Sequence, residues 1–187
     1  MKVSKAQVQE NRARILETAS MLFRERGYDG VGVAELMAAA GLTHGGFYKH
    51  FKSKADLMAQ AAAEGLAQSA TMASDTDITS FVNHYLSREH RDAPGNGCTM
   101  AALCGDAARQ PESIKSVFAV GIERQLAVLD TNQDADEDAK TRARTTLISN
   151  MAQAVGALVL SRACPDDSPL ADEILEVCRA RILNQYE

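Results

Sequence analysis

Residues 11–54 read NRARILETASMLFRERGYDGVGVAELMAAAGLTHGGFYKHFKSK and decide the fold of this chain. Apolar residues at the i, i+4, i+7, i+8 spacing of a half-buried helix are Ile15, Ala19, Leu22 and Phe23. Gly27 ends this helix, because glycine tolerates the left-handed conformation of a helix cap. A second apolar stripe, a tight turn at Gly41 and a third short helix follow, so the pattern predicts a helix-turn-helix.

The third helix of this motif has an unusual composition, with small, aromatic and basic side chains in little more than two turns. Phe47 and Phe51 are spaced i, i+4 and are expected to anchor it to the core. The outward face then carries His44, Gly45, Tyr48 and Lys49. Adjacent glycines cost a helix about 1 kcal/mol each relative to alanine, and close approach to a phosphate or base edge would offset that cost. The alternative is that Gly45 and Gly46 merely end one helix of an ordinary bundle.

These residues resemble the DNA-binding domain of the TetR-type (TetR/AcrR) transcriptional regulators. The matching elements are Leu22-Phe23, Gly27-Tyr28, Gly41-Leu42-Thr43, Gly45, Phe47-Tyr48, His50-Phe51 and Ser53-Lys54. One position departs from the family pattern, which often holds a hydroxyl residue able to reach a phosphate where this chain has Val31. Beyond Lys54 the resemblance is one of architecture only.

The resemblance implies a role for each matching residue. DNA contacts are expected from Thr43, His44, Gly45, Tyr48, Lys49, His50 and Lys54. Lys54 and the Tyr48 hydroxyl would bind phosphates, which fixes the register, whereas Lys49 and His44 could donate to guanine N7 or O6, which specifies sequence. The resemblance also implies a homodimer on a palindromic operator of double-stranded DNA, usually a repressor, released by a small-molecule effector.

The charge of the chain is divided unevenly. The whole chain carries −5, which taken alone argues against binding to nucleic acid. Residues 1–60 contain nine Lys/Arg and six Asp/Glu, a net charge of +3, whereas residues 61–187 contain eleven and nineteen, a net charge of −8. A basic head on an acidic body would orient the molecule toward a phosphate backbone. The alternative is a solvated charged face without a partner.

Other sequence features exclude several classes of protein. No apolar run is long enough for a membrane span, and the N-terminal residues lack the apolar segment of a signal peptide. The four cysteines lack zinc-site spacing and fit free thiols in a reducing cytoplasm. No nucleophile elbow or phosphate-cradling loop occurs, so neither an enzyme, nor a metal, nor a cofactor is expected.

The rest of the chain has helical periodicity and no sustained alternation of apolar and polar residues. The pattern predicts an all-α fold of about nine helices, with a helix-turn-helix domain at 1–53 and a helical effector-binding and dimerisation domain at 54–187. A capping box at Ser53 and Asp56 opens the linker helix between them. Residues 91–97, RDAPGNG, are predicted to form the clearest loop.

The last two helices carry wide apolar stripes that are typical of an association surface. The predicted dimer contacts are Met151, Val155, Leu158, Val159, Ile174 and Cys178. Two antiparallel helices of this kind pair with their two-fold copies into a four-helix interface. A dimer would also hold two recognition helices about one helical turn of DNA apart, ~34 Å. The alternative is that both stripes belong to the core of one chain.

The middle helices supply candidates for an effector pocket. The predicted ligand-binding residues are Phe81, His84, Tyr85, Cys98, Cys104, Phe118 and Ile122. Each of them also fits a role in the core or on the surface. Cys98 lies near an expected helix start, where a thiolate is favoured, and this suggests a thiol-based redox regulator with the same DNA-binding head. Six residues of helix place Cys98 and Cys104 about 240° apart, which does not suit a disulfide between them.

Overall fold

The computed structural model describes residues 4–74, 76–130 and 136–186, and these residues form nine α-helices and two 3-10 helices without any strand. The predicted all-α fold is confirmed. The α-helices are α1 (Lys5–Arg26), α2 (Val33–Ala39), α3 (Lys54–Ser74), α4 (Ile78–Tyr85), α5 (Arg88–Asp92), α6 (Thr99–Ala107), α7 (Glu112–Leu129), α8 (Glu137–Arg162) and α9 (Pro169–Leu183). The 3-10 helices are His44–Lys49 and Pro94–Asn96.

The ends of the first helices follow the local signals in the sequence. The side chain of Ser4 caps α1 by accepting from the backbone N–H of Gln7 at 3.1 Å. Gly27 ends α1 with a φ of +72°, a backbone conformation that favours glycine. At α3 the backbone N–H of Asp56 donates to Ser53 Oγ at 3.1 Å, and Asp56 in turn accepts from the N–H of Lys52 at 2.9 Å. The capping box therefore forms, with its returning bond one residue earlier than the usual pattern.

The apolar stripe predicted for α1 forms the centre of the first three-helix unit. Ile15, Ala19, Leu22 and Phe23 are the buried residues of this helix. Phe23 packs its ring edge-on against Tyr28, with 5.2 Å between the ring centroids. The same cluster includes Leu36 and Met37 of α2 and Phe47 of the following 3-10 helix. The helix-turn-helix is thus held to α1 by a continuous apolar core.

Helix α3 packs on both α1 and α7, so it joins the first three-helix unit (the head) to the rest of the chain (the body). The α3–α7 packing depends on Gly121, because a Cβ added there would lie 2.5 Å from Cδ1 of Leu66. Helices α8 and α9 pack against each other on another side of the body. Along the described parts of the chain, no helix has both the length and the apolar character required to cross a bilayer.

The loop predicted at residues 91–97 is confirmed in part, since residues 93–98 connect α5 to α6. The predicted segment contains the end of α5 and the second 3-10 helix, and the Arg91 side chain is only 3% exposed. Its guanidinium donates to the carbonyls of Ser161 at 3.0 Å and Cys164 at 3.1 Å, and to the Asp166 carboxylate at 3.1 Å. Charged residues beside proline and glycine usually indicate a surface loop, but here distant partners satisfy the buried cation.

Candidate nucleic-acid interface and effector cavity

The segment predicted as the recognition helix is a 3-10 helix that ends at Lys49 rather than an α-helix that reaches Phe51. Its backbone hydrogen bonds include Gly46 N–H to Thr43 O and His50 N–H to Phe47 O, both at 2.9 Å. Two glycines within six residues lower the α-helical propensity of this segment. Thr43 occupies the predicted N-cap position with an extended backbone, but its side chain makes no capping bond.

The two phenylalanines of this segment fix it to the head. Phe47 and Phe51 are both buried, and their rings stack with centroids 5.8 Å apart. The guanidinium carbon of Arg12 lies 5.2 Å from the centroid of the Phe51 ring. The backbone of the recognition segment is therefore anchored from below, as the i, i+4 spacing predicts.

The opposite side of the segment is exposed. Thr43, His44, Gly45, Tyr48 and Lys49 are the exposed residues there. Tyr48 is 70% exposed, although its ring edge contacts Phe47 with the centroids 5.2 Å apart. A Cβ built on Gly45 meets nothing within 4 Å, so packing inside the chain does not require glycine at this position. An outside partner that approaches the backbone closely gives a physical reason for it.

His50 and Lys54 lie at the edge of this face and are half-buried. Burial lowers the pKa of His50, and the charges of Arg12 and Lys49 act in the same direction. The buried Nδ1 of His50 has no hydrogen-bond partner among the described residues. The Lys54 ammonium donates to the carbonyl of Tyr28 at 2.5 Å, which ties the start of α3 to the turn after α1.

The residue that departs from the family pattern lies inside the protein. Val31 is 1% exposed and belongs to the core cluster of the head. Its side chain therefore adds apolar contact rather than a polar group on the surface.

The body contains a cavity of about 60 Å³ between α4, α7, α8 and α9. It adjoins a wider depression of about 500 Å³ and a recess of about 80 Å³. Phe81 and Tyr85 line both the cavity and the recess, while His84 and Cys98 line the recess. Four of the seven predicted ligand-binding residues are thus brought to connected spaces.

The other three predicted ligand-binding residues lie elsewhere. Phe118 is buried in the core, and Cys104 and Ile122 pack against it without lining these spaces. Gln125 and Asn150 line the cavity and were missed. A signal for them existed, because each interrupts an otherwise apolar stripe on a long helix, α7 and α8 respectively.

The predicted dimer residues do not form a single exposed face. Leu158 is completely buried within the chain, so its assignment to the interface is corrected. Met151 and Val155 line the cavity, and Ile174 and Cys178 are half-buried against the core. Of the predicted set, Val159 is exposed. The large apolar side chains exposed on α8 and α9 are Ile148, Val159, Leu160, Leu170 and Val177.

The two middle cysteines have different surroundings, and both are free thiols. Cys98 is buried at the N-cap of α6, where its backbone N–H donates to His90 Nε2 at 3.0 Å. The guanidinium groups of Arg24 and Arg162 lie close enough to interact electrostatically with it. Burial raises the pKa of Cys104 to about 11, so its thiol stays protonated at neutral pH.

Comparison with known proteins finds a family match that covers most of the head and the start of α3. Residues 15–61 match the family model described as bacterial regulatory proteins, tetR family. Over 57 residues the chain is 40% identical to the HTH-type transcriptional regulator AcrR of Shigella flexneri, a match over 30% of this chain and 26% of that protein. Over 89 residues it is 29% identical to the HTH-type transcriptional repressor AcnR of Corynebacterium diphtheriae, over 48% and 47% of the two chains. The matched part is thus less than half of either relative.

Solved structures extend the likeness to the whole fold. Reduced E. coli NemR has a TM-score of 0.73 at 19% identity, over 94% of this chain and 96% of that one. A TetR transcriptional regulator from Legionella pneumophila has a TM-score of 0.70 at 22% identity, over 99% of each chain. These identities establish a shared fold alone. The family match shows that residues 15–61 belong to the tetR family of bacterial regulatory proteins, and the described chain as a whole shares the fold of these solved structures.

Proposed function

We propose that this protein is a homodimeric transcriptional repressor that binds a palindromic operator and is released by a small-molecule effector bound in its body. The observation that carries the proposal is the recognition segment, whose exposed face combines Lys49, His44 and Tyr48 with a glycine that the chain's own packing does not need. A short segment of this kind, anchored by buried aromatic rings, fits the major groove of DNA.

The proposed contacts divide into two kinds. Lys49 and His44 are proposed to donate to base edges and Thr43 to lie beside them, because these side chains are exposed on the recognition segment. Tyr48 and Lys54 are proposed to bind phosphates, with His50 and Gly45 allowing close approach of the backbone. Lys54 has one of its three donors engaged by Tyr28, which leaves two for a phosphate oxygen.

Dimerisation is proposed through the exposed apolar side chains of α8 and α9. Val159 and Leu160 on α8 and Val177 on α9 are each about half exposed, on two helices that pack against each other. Exposed apolar surface on neighbouring helices favours association. Two copies of these helices would form a four-helix interface and set the distance between the two heads. We expect Leu160→Glu combined with Val177→Glu to yield a monomer in sedimentation analysis and to lose binding to a two-half-site operator.

The contacts between head and body support regulation by an effector. Arg24 at the end of α1 donates to the Gly95 carbonyl at 2.8 Å, and the Tyr28 N–H donates to the Asp106 carboxylate at 2.9 Å. Gly95 precedes the residues that border the recess, and Asp106 lies on α6, which begins beside it. An effector that shifts this region would change the orientation of both heads and their fit to the operator.

The first experiment is selection of binding sites from random duplex DNA by the purified protein at moderate salt. Recovery of a two-fold palindrome is the expected result. Lys49→Ala should alter the selected sequence. The control is Gln68→Ala, a change at an exposed position of α3, and this variant should select the same site as the parent chain. Absence of any enriched sequence, also after unfolding and refolding to remove bound ligand, would contradict the proposed function.

A second candidate is a redox-responsive regulator in which Cys98 is the sensor. One observation favours it, the position of this thiol at the N-cap of α6 with the guanidinium groups of Arg24 and Arg162 nearby. Burial of Cys98 argues against it by limiting access of an oxidant. Mass spectrometry after mild peroxide treatment, with DNA affinity measured on the same sample and on Cys98→Ser, separates the two. Unmodified Cys98 with unchanged affinity would exclude the redox candidate.

A further inference from the structure

We propose that the cavity between α4, α7, α8 and α9 binds an uncharged, mainly hydrocarbon compound that carries a hydrogen-bond donor such as a hydroxyl group. This inference rests on the proposed function, since it identifies the chemical class of the effector. It is carried by the polar atoms and the walls of the cavity.

Three buried polar groups line this cavity without a hydrogen-bond partner among the described residues. They are the hydroxyl of Tyr85, Oε1 of Gln125 and Oδ1 of Asn150, on side chains that are 9%, 4% and 7% exposed. Buried polar groups in native proteins are nearly always hydrogen-bonded, because each unsatisfied one costs stability. Three unsatisfied polar groups around one cavity indicate that the cavity binds a molecule that forms hydrogen bonds with them.

The unsatisfied atoms define the complementary chemistry. The Nδ2 of Asn150 donates to the Tyr186 hydroxyl at 3.2 Å, and its Oδ1 has no hydrogen-bond partner among the described residues. The oxygens of Asn150 and Gln125 are acceptors only, so each requires a donor from the ligand. Tyr85 can either donate or accept. A hydroxyl group can donate to one of these two oxygens and accept from the Tyr85 hydroxyl, whereas an ether or a hydrocarbon has no donor to offer.

The electrostatics of the cavity exclude a charged ligand. Among the described residues that line it there is no Lys, Arg, Asp or Glu, and the adjoining depression is bordered by the carboxylate residue Asp77. His90 in the adjoining recess is neutral, because its Nδ1 contacts the Tyr85 carbonyl at 2.7 Å while its Nε2 accepts from Cys98 N–H at 3.0 Å. An ion in this space would lose its hydration without gaining an opposite charge, and this strongly disfavours binding.

The walls fit a hydrocarbon frame. The rings of Phe81 and Tyr85 lie with their centroids 5.7 Å apart at one side of the cavity. Met100 and Met151 are further wall residues, and their flexible side chains allow the present space of about 60 Å³ to widen. The neighbouring depression of about 500 Å³ gives a larger molecule room to extend.

The test uses the full chain and matched probes that differ in a single group. Phenol, anisole and benzoate form a small series, and 1-naphthol, 1-methoxynaphthalene and 1-naphthoate a larger one. We expect isothermal titration at neutral pH to show binding of the hydroxyl compound in at least one series. The corresponding ether should bind about twofold to tenfold more weakly for each lost hydrogen bond, and the carboxylate should give no measurable binding.

Variants connect this preference to the named atoms. Gln125→Met and Asn150→Leu keep the side-chain volume approximately and remove the acceptors, so the preference for the hydroxyl over the ether should fall to about onefold. Both variants should melt at a higher temperature than the parent chain without probe, since an unsatisfied polar group is removed. Gln68→Met, the same change at an exposed position, is the control and should leave the preference and the melting temperature unchanged.

The proposal is overturned if the carboxylate binds as tightly as the hydroxyl compound, if the ether equals it, or if no member of either series binds. Retention of the hydroxyl preference in both variants would overturn the assignment to Gln125 and Asn150. The proposed DNA-binding function is tested separately, because the selection of binding sites from random DNA is carried out without any of these probe compounds. A probe that binds with the expected preference yet leaves operator affinity unchanged would contradict release by an effector at this cavity and leave the chemistry of the site intact.

Discussion

The head and the body of this protein use polar groups in opposite ways. In the head the residues with functional chemistry lie on the outside, over a core closed by Phe23, Phe47 and Phe51. In the body the amide oxygens of Gln125 and Asn150 lie inside, beside an apolar space, with no hydrogen-bond partner among the residues that the structure describes. In the proposed function the exposed side chains of the head bind DNA, whereas the unpaired amide oxygens of the body form hydrogen bonds with a small molecule.

The largest expected effect concerns the division between core and surface in the head. Phe47→Ala should destabilise the protein by about 3–5 kcal/mol, because a fully buried ring is replaced by a cavity. Tyr48→Ala, next to it and 70% exposed, should change stability by less than about 0.5 kcal/mol and still weaken DNA binding. Urea unfolding and operator titration measure the two quantities. Equal destabilisation by both changes would show that the exposed face also holds the fold.

The next effect separates base contacts from phosphate contacts. Lys49→Ala should cost about 1–3 kcal/mol on the selected operator and little on random DNA. Lys54→Ala should weaken binding on every sequence and lower the slope of log K against log salt by about 0.9 per lost phosphate contact. Titrations at several salt concentrations provide both slopes. Unchanged affinity of Lys54→Ala at low and moderate salt would show that this lysine only ties α3 to Tyr28.

A smaller effect tests whether Gly45 serves the partner or the fold. Gly45→Ala should leave stability unchanged or raise it by up to about 1 kcal/mol, because the added Cβ meets open space and alanine favours a helix. Operator affinity should fall if DNA approaches this backbone closely. Gly121→Ala is the contrasting change, since its Cβ would meet Leu66 inside the body and lower stability. Thermal melts and operator titrations decide the point, and unaltered DNA affinity in Gly45→Ala would contradict the close approach.

The smallest effect is a pH dependence of stability. Burial lowers the pKa of His90, a hydrogen bond to the Tyr85 carbonyl opposes this, and the charge of Arg162 adds to it. The unfolded state therefore binds a proton more readily, and stability should fall as the pH drops below about 6.5, the ordinary histidine pKa. Unfolding in urea at pH 7.5 and 5.5 measures the drop, which should be smaller in His90→Gln. His44→Gln, at an exposed position, should retain it.

The sequence predicts the head well because its signals are local. The apolar stripe of α1, the positive φ of Gly27 and the anchoring by Phe47 and Phe51 each depend on residues a few positions apart. The α-helical form of the recognition segment is the exception, since the segment is a 3-10 helix. Local periodicity thus predicts which side of this segment faces the core, but it does not distinguish an α-helix from a 3-10 helix.

The body is predicted less well because its decisive contacts are distant in sequence. Arg91 in the segment taken for a loop is satisfied by the carbonyl of Ser161, seventy residues later. Helix α8 has apolar residues on more than one side, so periodicity alone could not separate buried Leu158 from exposed Val159 or from Met151 in the cavity wall. Gln125 and Asn150 each interrupt an apolar stripe, but the sequence does not show that the two side chains border the same cavity.

The buried Arg91 has a consequence for the synthesis of the chain. Its guanidinium is enclosed by the carbonyls of Ser161 and Cys164, which leave the ribosome long after α5 does. Until then the neighbouring Asp92 is its carboxylate partner and the rest of the guanidinium has to stay hydrated, because burial of a charge with too few partners is destabilising. The head is complete in sequence by the start of α3, but the region around Arg91 cannot close before the end of α8 has emerged. A chain truncated before residue 161 would therefore contain every residue of the recognition segment and lack a closed body to control it.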